Sequence, residues 1–421
     1  MKKILKITLY SIMTIIVGGF IFFYIYYQTY SPEKNNVRVN EKDLAYFHET
    51  YIESRNSFLE DVEEAKNNFN NVTSKEYHIP SKVDTGLVMD VCYIPPQEDT
   101  SRLLVLISGI HGIEGYTGSA IQQMFLNELL DDQMAKDMGV LLIHAFNPYG
   151  FKYFRKATEF NVDLNRNCGT DKSIFENLNP GYGDLYGLLC PQGEVNKNSL
   201  GNQFFYLVAI WNILKESMST LRQAALQGQY EFPEGIYYGG KDFTPQTQIL
   251  QTVFPEVFNP YMLIFAIDLH TGYGEYAKLH LFPNPEKNDD IKNLTESLFP
   301  DKHIDWGDSD DFYTTVGDLT TYIKQVNPDA VTLCMPFEFG TLNSQTTIGS
   351  LQSIHRMILE NQGFNNGFRN EKCKRKVLGD FRELYYPASE AWRSEVIRQS
   401  REILNLSLDQ YLKMETQKDQ P

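Results

Sequence analysis

Leu103-Leu104-Val105-Leu106-Ile107-Ser108-Gly109-Ile110-His111-Gly112-Ile113-Glu114-Gly115 decides how this chain is read. Five apolar residues form a buried strand, and the glycine-rich turn after it opens a helix. The turn sets a histidine and a carboxylate three residues apart, a common way to offer two ligands to one Zn²⁺ ion. The glycines suit a sharp change of backbone direction, because glycine tolerates unusual φ/ψ values. Eight histidines and 54 acidic residues among 421 positions give roughly one His-x-x-acid pair by chance. Its surroundings must therefore carry the claim.

Working outward, Val140-Leu141-Leu142-Ile143-His144 is a second short apolar run. Between the two lies a helix running through Ala120 to Leu130, so the order is strand, helix, strand. That order argues for a parallel α/β sheet. Leu87 to Ile94 adds a β-rich entry. Phe265-Ala266-Ile267-Asp268-Leu269-His270 and Ala330-Val331-Thr332-Leu333-Cys334-Met335 are further strands, the second leading to Pro336-Phe337-Glu338. Phe47, Tyr51, Phe58, Val62, Ala65 and Phe69 recur at helical spacing and predict a helix over 46–70 with one face on the domain. Residues 168–260 are Gly/Pro/Asn-rich around a helix near 200–227 and read as an insertion framing a site. Residues 386–415 read as a terminal amphipathic helix.

The formal net charge is −16, and no basic patch is interleaved with aromatics, which argues against a nucleic-acid partner. Residues Ile7 to Tyr27 carry no charge and follow Lys2, Lys3 and Lys6. Such a run is long enough for a hydrocarbon core of ~30 Å. The lysines would keep the N-terminus inside, placing the bulk of the chain on the extracytoplasmic side. A cleaved signal peptide would need a shorter run and a small-x-small site. This one ends in Tyr-Ile-Tyr-Tyr-Gln-Thr-Tyr. The expected organisation is a single-pass anchor at 1–30, a juxtamembrane linker at 31–45, and one domain from 46 to 421. The five cysteines show no close pair. Cys168 and Cys190 could pair in an oxidising compartment, but buried free thiols are the commoner outcome.

Three polar positions, His111 with Glu114, His270 and Glu338, fall at the C-terminal ends of apolar strands, the edge where open α/β sheets bind ligands. Asn147-Pro148-Tyr149-Gly150, Phe154-Arg155-Lys156 and Asn161-Val162-Asp163-Leu164-Asn165-Arg166-Asn167 add polar groups to the set. Of Arg155 and Lys156, either could face the site. Asp268 lies two residues before His270 and shares its face on a regular strand, with no role assigned. His144 reads as structural, and Tyr237 and Tyr238 as loop residues that either touch substrate or pack.

These segments, with Gly228-Gln229-Tyr230, Tyr237-Tyr238-Gly239-Gly240, Asp268-Leu269-His270-Thr271-Gly272 and Pro336-Phe337-Glu338-Phe339-Gly340, resemble the zinc carboxypeptidase superfamily. That superfamily also includes aspartoacylase-type deacylases. More narrowly, the chain is similar to a bacterial family known as domain of unknown function 2817. The resemblance implies a central, largely parallel mixed sheet flanked by helices. It implies one Zn²⁺ held by His111, Glu114 and His270, with Glu338 as general base and Arg155 stabilising the oxyanion. Asn165 and Arg166 would clamp a substrate carboxylate. With the N-terminal run, the expected activity is a membrane-anchored, zinc-dependent, carboxypeptidase-like amide hydrolase that uses zinc-activated water on substrates with a free carboxylate. A deacylase of N-acyl amino acids and a non-catalytic surface binding protein are the alternatives.

Overall fold

The computed structural model describes residues 2–32, 38–216, 223–306 and 315–415. The linker expected at 31–45 and the helix expected near 200–227 run partly outside them, at 33–37 and 217–222. So do the domain's last residues, 416–421.

Seven strands form one mixed sheet: β1 (Thr73–His78), β2 (Val88–Ile94), β3 (Arg102–Ser108), β4 (Gly139–His144), β5 (Leu263–Thr271), β6 (Leu279–Leu281) and β7 (Val331–Phe339), in the order β1-β2-β4-β3-β5-β7-β6. The four central strands β4, β3, β5 and β7 are parallel to one another. The outer pairings β1–β2, β2–β4 and β6–β7 are antiparallel. The sheet is thus parallel only at its centre. That is where the sequence shows unbroken apolar runs, as strands covered on both faces must.

Alternate side chains of β3 enter two different cores. Leu104 and Leu106 join one layer, while Leu103, Val105 and Ile107 join the other. The first layer is covered by α2 (Tyr51–Asn68), α3 (Gly115–Met124) and, further on, a terminal helix at Glu390–Lys413. A capping box starts α2: Thr50 and Glu53 bond reciprocally to each other's backbone N–H. Its Phe58 and Val62 are fully buried on that layer. The second layer is covered by helices at Pro245–Phe258 and Leu319–Val326, through Leu250, Phe254, Tyr322 and Ile323.

The N-terminal segment is a correction. It forms α1 (Lys2–Gln28), but among the described residues no helix is long and apolar enough to cross a membrane. The transmembrane anchor is withdrawn, and the extracytoplasmic placement that rested on it falls with it. The tyrosines read as an interfacial belt find protein partners instead. Tyr27 is buried, its hydroxyl 3.2 Å from His355 Nδ1. The Tyr24 hydroxyl donates to Gln203 Oε1 at 3.2 Å. Tyr27 also packs on Tyr206 of α4 (Phe205–Glu216), with ring centres 5.0 Å apart.

His355 belongs to α5 (Thr347–Asn366), a 20-residue helix followed by α6 (Glu371–Tyr385). It stacks on Phe205, ring centres 4.1 Å apart. All five cysteines are free thiols, so Cys168 and Cys190 do not pair.

Candidate metal centre

The turn after β3 is built as its glycines require. Gly109 has φ +77°, and a Cβ on Gly112 would lie 2.2 Å from the carbonyl carbon of Gly150. Only glycine permits that approach of two backbones. His111 then leaves an extended residue, and Glu114 sits in a short 3₁₀ turn that opens α3. On β5, even-numbered side chains face the second core layer, so Asp268 and His270 continue the row of Ile264 and Ala266. On β7, Glu338 continues the row of Cys334. His270 and Glu338 are direct register partners between these two parallel strands.

His111, Glu114 and His270 are buried, and their ligand atoms lie within 4.8 Å of one another. Both histidines turn the same nitrogen inward: Nδ1 of each is 3.0 Å from a Glu114 oxygen, Oε1 for His111 and Oε2 for His270. Thr271 N–H donates to Glu114 Oε2 at 3.0 Å. Both Nε2 atoms face an aspartate. His270 Nε2 is 2.7 Å from Asp268 Oδ2, and His111 Nε2 is 3.3 Å from Asp163 Oδ1. The Asp268 carboxylate bonded to His270 Nε2 fixes the tautomer that leaves that Nδ1 lone pair available to a cation, while Asp163 stands beside His111 Nε2 without a hydrogen bond to it.

The electrostatics agree with a cation site. Burial alone would raise the Glu114 carboxyl, but His111 and His270 outweigh it and hold it below its usual range. Asp163 is likewise held well down against its burial, by Lys156 and His111. Glu338 goes the other way: burial and the nearby Glu114 charge push its carboxyl up, opposed by His270. Its Oε2 is buried without a hydrogen-bond partner. Glu114 and Asp163 lie close to Lys156, and Arg166 to Asp163. Two inward imidazoles and a carboxylate are a donor set that suits Zn²⁺.

Arg166 is buried, with Nη1 and Nη2 donating to the carbonyls of Asn165 and Leu226, each at 2.6 Å. Among the described residues its Nε has no partner and no carboxylate pairs with it. Asn165 Oδ1 accepts from Leu319 N–H at 2.9 Å. Tyr237, in the left-handed region at φ +57°, presents its ring to both Lys156 and Arg166.

Arg155 lines the same cleft as Lys156, Asp163 and Tyr237, with its guanidinium nitrogens taken up by protein partners. Its Nε donates to Glu360 Oε1 at 2.6 Å, its Nη2 to Asn161 Oδ1 at 3.0 Å and its Nη1 to Thr158 O at 3.3 Å. The guanidinium lies 3.4 Å from the centre of the Phe364 ring. Glu360 and Phe364 hold it against α5. Lys156, its neighbour, points at Asp163 instead. His144 is structural as expected: fully buried, 3.0 Å from Ser119 Oγ and stacked on Phe58. Ser119, His144 and Asp90 line up like a hydrolytic triad. With Ser119 and His144 sealed at zero exposure, no substrate reaches them.

Asp163 has no role assigned from the sequence, although it stands in the Asn-Val-Asp-Leu-Asn-Arg-Asn segment. An acid two residues before the expected Asn-Arg pair was the available signal. Its loop position hid which ligand it would reach.

No curated protein matches the chain. Among solved structures it is similar to bovine thrombin-activatable fibrinolysis inhibitor in complex with tick carboxypeptidase inhibitor, at 11% identity over 76% of this chain and 98% of that one, TM-score 0.39. It is similar to carboxypeptidase A from Helicoverpa armigera at 14% identity, over 80% and 74% of the two chains, TM-score 0.38. Murein-tripeptide amidase from Escherichia coli O157 is similar at 13% identity, over 70% and 95%, TM-score 0.32. At these values the likenesses carry no argument about activity. The family described as "Protein of unknown function (DUF2817)" matches residues 47–399, most of the chain, and this protein belongs to it.

Proposed function

We propose that this protein is a zinc-dependent amide hydrolase, cutting next to a residue that bears a free carboxylate. The observation that carries the reading is the disposition of His111, Glu114 and His270, both Nδ1 atoms turned onto Glu114 and both Nε2 atoms backed by aspartates. Those three side chains would hold the ion. Zinc bound there would acidify a water molecule and polarise the scissile carbonyl.

The chain's own groups do the rest. Glu338, one strand from His270 and with an unpartnered oxygen, takes the proton of the attacking water. Burial raises the proton affinity of its carboxyl, which suits a group that must also give the proton up. The water oxygen bonds to the carbonyl carbon, the C–N bond breaks, and Glu338 passes the proton to the leaving nitrogen. Arg166 and Asn165 bind the carboxylate of the leaving part, with the unpartnered Nε of Arg166 as one donor. Asp163 and Asp268 hold the two imidazoles in register. A peptide with a free C-terminus and an N-acyl amino acid both carry a carboxylate beside the scissile nitrogen, so this chemistry serves both.

The test is E338Q measured beside the unaltered protein. Turnover should vanish while about one zinc per chain is retained. Activity equal to that of the unaltered protein would refute the mechanism. A panel of peptides with free and amidated C-termini then tests the carboxylate clamp, because the amidated members must not be cut.

A further inference from the structure

The backbone of Arg155 and Lys156 is pinned to the turn that carries His111 and Glu114. Ile113 N–H donates to Arg155 O at 2.9 Å, and Gly112 N–H to Lys156 O at 3.2 Å. Asn147 Nδ2 donates to the same Lys156 carbonyl at 3.1 Å. From this fixed stretch the two side chains leave in different directions. Arg155 goes to Glu360 and the Phe364 ring of α5 and to Thr158 and Asn161 of its own loop, which together use all three of its nitrogens and one face. Lys156 goes to the ligands. Its Nζ is 3.3 Å from Asp163 Oδ2, on the carboxylate whose other oxygen faces His111.

That is the only ion pair of Lys156 among the described residues, and it is a long one. An ammonium has three donors, so Asp163 leaves donors to spare. Fourteen per cent of the Lys156 side chain is accessible, against 6% for Arg155. The same ammonium lies 5.3 Å from the centre of the Tyr237 ring, on the side from which Arg166 is also faced. Lys156 therefore stands beside the ligands and within the electrostatic reach of Glu338.

We propose that Lys156, and not Arg155, is the catalytic cation that receives the oxyanion when the scissile amide is attacked. This rests on the hydrolase reading above. As the water oxygen adds to the carbonyl carbon, the C=O electron pair moves onto the carbonyl oxygen, and Lys156 Nζ donates a hydrogen bond to it. When the C–N bond breaks the pair returns, and the nitrogen leaves with the proton from Glu338. Lys156 keeps its own protons throughout. Arg155 is a positioning residue that ties residues 155–161 to α5. A lysine is a compact point charge without a fork, so the contact it makes is a single one.

The experiment uses the zinc-loaded full chain and two probes, measured by calorimetry. One is an N-acyl dipeptide analogue with a tetrahedral phosphonate in place of the scissile amide. The other is the free amino acid product. In K156M the phosphonate should bind about 10²-fold more weakly, the loss typical of one oxyanion donor. Product affinity should stay within about threefold, and zinc content should be unchanged. K156Q reads the same way if K156M does not fold. The double variant R155M/E360M should bind both probes as the unaltered protein does.

Unchanged phosphonate affinity in K156M, or an equal loss in R155M/E360M, overturns the assignment to Lys156 and leaves the hydrolase reading standing. An unaltered protein that takes up no zinc and binds no phosphonate brings down both.

Discussion

Replacing Asp268 with asparagine tests whether the second row of carboxylates builds the metal centre. Asp268 Oδ2 lies 2.7 Å from His270 Nε2, a charge-assisted contact in a buried setting. Asparagine keeps the shape and a neutral acceptor but removes the charge. The imidazole becomes a weaker donor to the ion, and its tautomer is no longer enforced. Losses of such outer partners cost about 10- to 100-fold in metal affinity, or ~1.4–2.7 kcal/mol. Asp163 stands further from its histidine, at 3.3 Å. D163N should therefore weaken binding less than D268N, provided its separate contact with Lys156 is not what orders the loop. The assay is zinc competition against a chromophoric chelator, with thermal unfolding of the metal-free proteins as a control for the fold. Zinc affinity in D268N within twofold of the unaltered protein would refute the reasoning, because the inward Nδ1 geometry would then not depend on its backing carboxylate.

Other consequences are equally open to measurement. E360A leaves the Arg155 guanidinium buried without its carboxylate. It should cost about 3–5 kcal/mol in urea unfolding, while R155M/E360M should lie within about 1 kcal/mol of the unaltered protein. G112A must force a Cβ into the Gly150 backbone, 2.2 Å away. It should lower zinc content well below one per chain, whereas a surface change such as K75A should not. F58A removes a fully buried ring stacked on His144 and should destabilise by about 3–5 kcal/mol, read as a drop in urea midpoint. His355 is held neutral by burial, its pKa down from 6.5 to about 3. A depressed histidine contributes stability that is complete above the unfolded value and is lost as pH falls below it. Between pH 6.5 and 5 the unaltered protein should lose about 2 kcal/mol more than H355F, at ~1.4 kcal/mol per unit. Parallel pH curves for the two proteins would contradict this.

What could be read from the chain follows from what each element must bury. β3, β4 and β5 are covered on both faces, so their apolar runs are continuous and conspicuous. The polar residues at their C-terminal ends stand out by contrast. β1, Thr-Ser-Lys-Glu-Tyr-His, is an exposed edge strand with no apolar pattern, and β6 has only three residues. Neither announces itself. α5 was unread because its buried stretch contains Glu360, Asn361 and Gln362, polar residues satisfied by Arg155, Glu234 O and Gly193 O. That breaks the helical period. The N-terminal run misled for the opposite reason. Its aromatic residues suit an interface with lipid as well as one with protein, and hydropathy does not distinguish them. Arg155 and Lys156 were not separable because adjacent side chains part company only once the backbone is pinned.

α5 touches two regions of the chain. His355 seats Tyr27 of α1, and Glu360, five residues on, seats Arg155 beside the candidate metal centre. Five residues of helix span about 7.5 Å and move as one rod. Trimming the first thirty residues would therefore do more than shorten the chain. It would strip the aromatic cover from Tyr206 and His355 at one end of the helix whose other end, through Glu360, holds Arg155 and the backbone from which Lys156 departs.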